Sequence, residues 1–228
     1  GDKSLRDLGL FLYRTEVAAI EHYWFDVDRA VFPTGFDRDV VGMVWGDGAA
    51  YAIWWNGGVE EVHGINFLPI TPGSVYLGRN PEYLRRNLTY MRGNGPGTGA
   101  WQDIIMSAEA LSDPSAAVSL LNVNPNYDVE WGETRAHTYH WLHNLNKMGT
   151  LATNVTADIP SYNVFDNTAG VRTYAAYNPD AAERTVTFSD GFTLRVPAKT
   201  LATNHGDTPD REYDLRFVHD GDTLQVSF

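Results

Sequence analysis

The sequence contains 228 residues, of which 43% are hydrophobic, and its 29 acidic and 17 basic side chains give a net charge of −12. That hydrophobic share is enough to bury a core and excludes bulk disorder, while the acidic balance argues against nucleic acid as a partner. Cysteine is absent, which excludes disulfides, thiolate metal ligands and cysteine nucleophiles. Pro69 and Pro72 interrupt the longest uncharged run, residues 63–78, so no membrane-spanning helix is predicted.

Helical signals dominate the chain up to Gly149. Apolar residues between Asp2 and Trp24 recur with a period close to 3.6, which predicts a helix, and a shorter one is predicted over residues 47–56. Residues 57–79 are predicted to form a long loop, and loops of that length are usually functional. The helices predicted after it span about residues 80–93, 101–111, 116–121 and 133–148.

Capping residues mark the ends of these helices. Asn80-Pro81-Glu82 combines an N-cap, a proline at the first helical position and an acid in the first turn, and Asp113-Pro114 repeats the signal. Gly93 and Gly149 stand where helices are predicted to end. Helices of this length with no strand between them indicate helical hairpins.

After Gly149 the hydrophobic period becomes two, which predicts a small antiparallel β domain that includes a strand near residues 171–177. In one hairpin, a three-residue loop ending at Gly191 pairs Val186 with Leu194 and keeps the apolar side chains on one face.

A second hairpin is predicted close to the end of the chain. A two-residue Asp220-Gly221 turn matches Phe217 with Leu224 and places the apolar side chains of both strands on one face.

Polar side chains are concentrated in the glycine-rich segment 57–66, beside Trp54 and Trp55. Glu60, Glu61, His63 and Asn66 could bind the hydroxyl groups of a ligand that approaches the glycine backbone closely. The alternative is that both glutamates are simply solvated and that His63 caps a turn. The residue types favour neither interpretation.

Three histidines, His137, His140 and His143, follow one another at i+3 steps on the helix predicted over residues 133–148. Such steps drift around a helix, and no carboxylate stands at i+4 from His137 or His140, so no metal site is predicted. His140 or His137 is instead expected to be packed or to face a substrate.

The chain has 29 aromatic residues (7 Trp, 12 Tyr and 10 Phe), and part of them must form the core. Aromatic rings cover the apolar faces of sugars, so Trp45, Trp54 or Trp101 could form a stacking platform, with Asp47 as a nearby hydroxyl contact. Packing in the core is the default alternative for each ring. Asp103, at a helix start, could interact with the helix dipole or with a substrate.

Three segments together carry a family resemblance: GDKSLRDLG with YRTE in residues 1–16, EVHGINFLPITP in residues 61–72, and AHTYHW in residues 136–141. They resemble glycoside hydrolase family 81, the endo-β-1,3-glucanases or laminarinases. The segments TYAAYN (173–178) and TVTFSDG (185–191) resemble the β module that ends many bacterial members. The resemblance covers nearly the whole chain.

The resemblance implies an α + β fold, in which residues 1–149 are the C-terminal part of an (α/α)6 catalytic toroid and residues 150–228 are a small antiparallel β module. It also implies hydrolysis of β-1,3-glucan with inversion, which requires one carboxylic acid and one carboxylate base. The family's acid and its Glu-x-x-x-Glu pair precede the block that starts this chain, so catalytic residues are expected upstream and none here.

Within the chain, the resemblance implies substrate contacts by Glu61, His63, Asn66, Trp45, Asp47, Trp54, Trp101 and His140. The predicted function is part of an inverting endo-β-1,3-glucanase, and the alternative is a non-catalytic β-glucan-binding protein. The expected partners are β-1,3-glucan and the N-terminal remainder of the same enzyme, with no cofactor, metal, nucleic acid or membrane. Secretion is implied by the resemblance.

Overall fold

The computed structural model describes residues 4–5, 7–9, 11–12, 34, 59–65, 67, 72–93, 97–205, 216–220 and 223–227. The fold is α + β, with helices and antiparallel strands, as predicted. The chain divides into two compact units, residues 1–152 with 165–171, and residues 153–164 with 172–228. Within the described ranges, every helix is too short or too polar to cross a membrane.

The first unit carries the helices. They are α1 (Val59–Gly64), a 3-10 helix (Pro72–Arg79), α2 (Pro81–Gly93), α3 (Gln102–Glu109), α4 (Pro114–Val123) and α5 (Arg135–Met148). Residues 4–5, 7–9 and 11–12 are also helical, in agreement with the helix predicted from Asp2. The helix predicted over residues 47–56 lies outside the described residues.

The predicted caps form. Asn80 Oδ1 accepts a hydrogen bond from the Tyr83 N–H at 3.2 Å, and Asp113 Oδ1 accepts one from the Ala116 N–H at 3.0 Å. Helix α5 begins two residues later than predicted because Thr134 is its N-cap and accepts from the His137 N–H at 3.1 Å.

The long loop predicted over residues 57–79 is wrong, because the structure places α1 and the 3-10 helix within it. Helix α1 has six residues, fewer than the window over which a hydrophobic period can be recognised. Its stability comes from tertiary packing, since it packs against α2 and α3 and buries Val59.

Helix α3 lies at the centre of the first unit and packs against α1, α2, α4 and α5. All residues from Asp103 to Glu109 are buried, so α3 has no exposed face beyond its first residue. The backbone carbonyl of Ser107 accepts a hydrogen bond from the Trp141 indole of α5 at 2.9 Å. The core of the unit is therefore built around this helix.

The strands are β1 (Thr150–Leu151), β2 (Tyr162–Asp166), β3 (Arg172–Tyr177), β4 (Arg184–Thr187), β5 (Thr193–Val196), β6 (Leu201–Thr203), β7 (Arg216–Asp220) and β8 (Thr223–Ser227). In the first unit, β1 pairs antiparallel with residues 165–166 of β2. In the second unit, β3 lies between β2 and β6. Val186 pairs with Leu194, which confirms the register predicted for the β4–β5 hairpin.

The register predicted for the β7–β8 hairpin is wrong by two residues. Phe217 pairs with Val226, and Asp220 pairs with Thr223, so Asp220 belongs to the strand and not to the turn. A shift of two residues preserves the period-two alternation of the sequence, so the apolar pattern does not distinguish the two registers.

Gly149 ends α5, and among the glycines assessed in the described part of the chain it is the one where a Cβ would meet the closest backbone contact. Its φ is +96°, and a Cβ there would overlap the backbone carbonyl of Asp166. Gly170 has a φ of +76° but open space around it. A side chain there would strain the backbone without contacting another atom.

We expect Gly149→Ala to lower the free energy of unfolding by about 2 kcal/mol or more, since it combines backbone strain with a backbone clash. Gly170→Ala adds only the strain and should lower it by about 1 kcal/mol. Urea denaturation of both variants measures the difference. Equal losses would mean that the close approach to Asp166 does not constrain Gly149.

Candidate functional site

The polar residues predicted near position 60 lie on α1 and are buried. Glu60 is 4%, Glu61 2% and His63 1% exposed, so the interpretation of the glutamates as solvated is wrong. Because α1 packs against both α2 and α3, these side chains enter the interior of the first unit. Burial of three titratable groups on one short helix requires polar partners for them.

Glu60 on α1 forms hydrogen bonds with the segment 97–100. Its carboxylate accepts hydrogen bonds from the Thr98 hydroxyl at 3.1 Å and from the Gly99 N–H at 3.2 Å. Gly97 lets the backbone approach the carboxylate, since a Cβ there would overlap Glu60 Oε1. The role of Glu60 is therefore to position this segment.

His63 joins α1 to α2. Its Nδ1 lies 2.5 Å from Asn87 Oδ1, and its ring lies 6.1 Å from that of Tyr90. Burial lowers the pKa of His63, more than the bond to Asn87 raises it. A neutral imidazole with its proton on Nδ1 donates to the amide oxygen, so the pair is a buried hydrogen bond between two helices.

Glu61 and Trp101 line the same cavity, of about 400 Å³. We call it the acidic cavity, and its lining residues are Glu61, Thr98, Gly99, Ala100, Trp101, Asp128, Val129 and Glu130. Two residues predicted to contact a substrate, Glu61 and Trp101, therefore line one cavity although they are far apart in the sequence.

Trp101 is held in an uncommon conformation at this cavity. Its φ of +52° lies in the left-handed region, where residues other than glycine are strained. The indole ring of Trp101 can lie against α1 because residue 64 is a glycine. A Cβ on Gly64 would lie 2.8 Å from that ring. Only 9% of Trp101 is exposed, so most of its ring is core and the remainder faces the cavity.

Asp103 holds the part of the cavity wall that contains Glu130. This buried carboxylate accepts hydrogen bonds from the Ile104 N–H at 3.0 Å and from the Glu130 N–H at 2.8 Å. Burial raises the pKa of Asp103, and the charge of Glu133 raises it further. The two bonds favour a structural role at the start of α3 over contact with a substrate.

Glu130 is a cavity residue whose acidity is changed by its surroundings. Burial raises the pKa of its carboxyl group, and the nearby Asp103 charge adds to this, while hydrogen bonds from the Trp131 N–H and the Trp101 indole oppose it. Sequence reasoning missed Glu130 and Asp128 as cavity residues. The only local signal is a polar segment between two predicted helices.

The other predicted residues are placed differently. His140 is exposed on α5, with its ring edge-on to Tyr139 at 6.3 Å. His137 Nδ1 lies 2.7 Å from the Glu133 carboxylate, which stands at i−4, a direction that the sequence argument did not consider. Among the described residues, no group of three histidine or carboxylate side chains could hold a metal ion. Trp45, Asp47, Trp54 and Asn66 lie outside the described residues.

The buried His63 imidazole predicts a pH-dependent stability. Because its folded pKa lies below the unfolded value of about 6.5, the unfolded chain binds the proton first as the pH falls. Stability due to His63 is therefore present above about pH 6.5 and declines as the pH falls towards the lowered folded pKa.

We expect His63→Asn to be less stable than the wild type by about 1–3 kcal/mol at pH 7.5, with a smaller difference at pH 5.5. Urea denaturation at both pH values measures this. The control is Leu88→Ala, which destabilises α2 without removing a titratable group and should show the same difference at each pH. A constant difference for His63→Asn would contradict a neutral buried imidazole.

Relatives and solved structures resemble this chain over most of its length. Residues 1–142 match the model of the glycosyl hydrolase family 81 C-terminal domain. A glucan endo-1,3-beta-D-glucosidase of Thermobifida fusca is 48% identical over 207 residues, which are 89% of this chain and 27% of the relative. One of the same name from Acetivibrio thermocellus is 44% identical over 90% of this chain and 26% of its own length.

A solved structure gives the same result. A mutant of a glycoside hydrolase family 81 protein from Clostridium thermocellum matches with a TM-score of 0.72 and 42% identity. The match covers 88% of this chain and 28% of that one, so the chain spans about a quarter of the length of the proteins it matches. The family model covers more than half of the chain, and the chain therefore belongs to glycoside hydrolase family 81.

Proposed function

We propose that this chain is the C-terminal part of an inverting endo-β-1,3-glucanase and that it supplies part of the substrate cleft. The observation that carries the proposal is the acidic cavity, in which Glu61 and Trp101 meet in a member of glycoside hydrolase family 81. The names of the two curated relatives support β-1,3-glucan as the substrate.

The chemistry of the cavity suits a neutral polysaccharide. Glu61, Asp128 and Glu130 line it, and carboxylates accept hydrogen bonds from sugar hydroxyls. An anionic ligand would be repelled by the same groups. The exposed part of Trp101 offers an apolar surface for the C–H groups of a glucose ring.

Inversion needs a general acid and a general base far enough apart to admit a water molecule. In this proposal both carboxylates lie upstream of the chain, and residues 1–149 complete the C-terminal part of an (α/α)6 toroid. Residues 150–228 form the β module that follows it. The chain's share of about a quarter of its relatives supports a division of the site between this part and the rest.

The remaining predicted contacts are part of the same proposal. Asn66, Trp45, Asp47, Trp54 and His140 would bind glucose units on either side of the acidic cavity, and His63 would contact the substrate or position α1 for it. The N-terminal remainder of the enzyme is the proposed protein partner. Exposed apolar side chains on the first helical residues, Leu5, Leu8, Phe11 and Leu12, support such a partner. The enzyme is proposed to be secreted.

A second candidate is a β-glucan-binding protein without hydrolytic activity. The observation that favours it is that the acidic cavity needs no further residue to accept hydroxyl hydrogen bonds and cover an apolar sugar face. Binding and catalysis can therefore be tested separately.

We expect Glu61→Gln in the full-length enzyme to raise the KM for laminarin about tenfold or more, because a charged acceptor of hydroxyl hydrogen bonds is lost. Glu82→Gln is the matched control, since Glu82 is exposed on α2 and, within the described residues, pairs with the neighbouring Arg85 at 3.1 Å. Initial rates and melting temperatures are measured for both variants. An unchanged KM and kcat for Glu61→Gln would remove Glu61 from the substrate cleft.

We expect the purified 228-residue chain to bind laminarin and to release no reducing ends from it. The cavity is present in this chain, whereas the proposed acid and base are not. Reducing-end assays and binding measurements on the same preparation test the two parts. Released products would contradict upstream catalytic carboxylates, and inactivity of the full-length enzyme together with binding would favour the second candidate.

A further inference from the structure

Trp131 is the most exposed large hydrophobic side chain in the described part of the chain, at 99%. A tryptophan in the core contributes more apolar burial than almost any other residue, and here that contribution to folding is absent. Its position is therefore not explained by the packing of this unit.

A fixed turn presents Trp131 to the solvent. The Glu133 N–H donates to the Glu130 carbonyl at 3.0 Å, which places Trp131 and Gly132 at the two central positions of a four-residue turn. Gly132 has a φ of +102°, a value that glycine adopts without strain, and turns of this kind require such a residue in third place. The side chain at the second position of the turn then stands at its outer corner.

Both sides of the turn are anchored. Before it, the Glu130 N–H donates to Asp103 at 2.8 Å, and the Tyr127 carbonyl accepts from Arg135 Nη2 at 2.8 Å. After it, the Glu133 carboxylate lies 2.7 Å from His137 Nδ1 on α5. A side chain on an anchored turn loses little backbone entropy when a ligand binds it, which is the condition for a preorganised site.

The turn adjoins the acidic cavity. Residues 128–130 form part of the cavity wall, and Trp131 follows them directly. Glu130 lines this wall, and its N–H donates to Asp103 at 2.8 Å, so the residue directly before Trp131 is held in place. A chain-like ligand in the cavity would leave it next to Trp131.

We propose that Trp131 is an aromatic platform on which a glucose unit of the β-1,3-glucan chain stacks at the rim of the acidic cavity. This inference rests on the proposed function and adds a binding subsite to it. The indole ring covers the apolar C–H face of the sugar, while Asp128 and Glu130 accept hydrogen bonds from hydroxyls of the adjoining units.

The test uses the full-length enzyme with Trp131→Ala, Trp131→Phe and, as a control, Tyr177→Ala, which removes a 41% exposed aromatic ring from the second unit. We expect Trp131→Ala to raise the KM for laminarin about tenfold, with kcat changed less than twofold, since the ring binds substrate away from the reacting bond. Trp131→Phe should recover part of the loss, and Tyr177→Ala should match the wild type.

Melting temperatures separate binding from folding. Since Trp131 buries nothing, its removal should shift the melting temperature by no more than about 2 °C. A larger shift would overturn the proposal, because it would show that the full-length enzyme packs against this ring. An unchanged KM for Trp131→Ala in an active enzyme would overturn the platform and leave the proposed function standing. A wild-type enzyme without activity or binding on laminarin would reject both.

Discussion

Asp103 is a carboxylate in the interior of the helical unit, and it accepts hydrogen bonds from the backbone N–H groups of Ile104 and Glu130. The first bond holds the start of α3, and the second holds a segment 27 residues further along the chain. Because a buried carboxylate without partners is strongly unfavourable, this arrangement ties the wall of the acidic cavity to the most buried helix of the unit. The segment that carries Asp128 and Glu130 is thus joined to the core by a buried acceptor.

Four of the carboxylates in and around the cavity have different roles, which their surroundings determine. Glu60 and Asp103 are satisfied by the protein itself, and both hold backbone in place. Glu61 and Glu130 line the cavity, and the raised pKa of Glu130 shows that grouping acids here is opposed by burial and by mutual repulsion. A site that binds a neutral, hydroxyl-rich ligand uses acceptors that folding alone would not favour.

Sequence signals between neighbouring residues predicted much of the fold. The features that were missed either leave no distinct pattern in the sequence or depend on contacts between distant residues. The caps at Asn80 and Asp113 act within one helical turn, so neighbouring residues were sufficient to identify them. Helix α1 was mistaken for loop because six residues carry no measurable period, and the β7–β8 register was missed because a two-residue slip preserves the alternation. The hydrogen bond from the Glu130 N–H to Asp103 depends on tertiary packing, which no residue spacing in the sequence predicts.

The two tryptophans beside the cavity show why residue type alone does not identify a sugar platform. Trp101 is predicted from the sequence as a stacking platform, yet only 9% of it is exposed and most of its ring packs against the interior. Trp131 has no such helical context, but Gly132 permits a turn that keeps its ring out of the core. A long glucan chain needs polar acceptors within a cavity to fix its register and an apolar surface outside to carry the units that extend beyond it. Glu130, which lines the cavity together with Trp101 and directly precedes Trp131, lies where these two requirements meet.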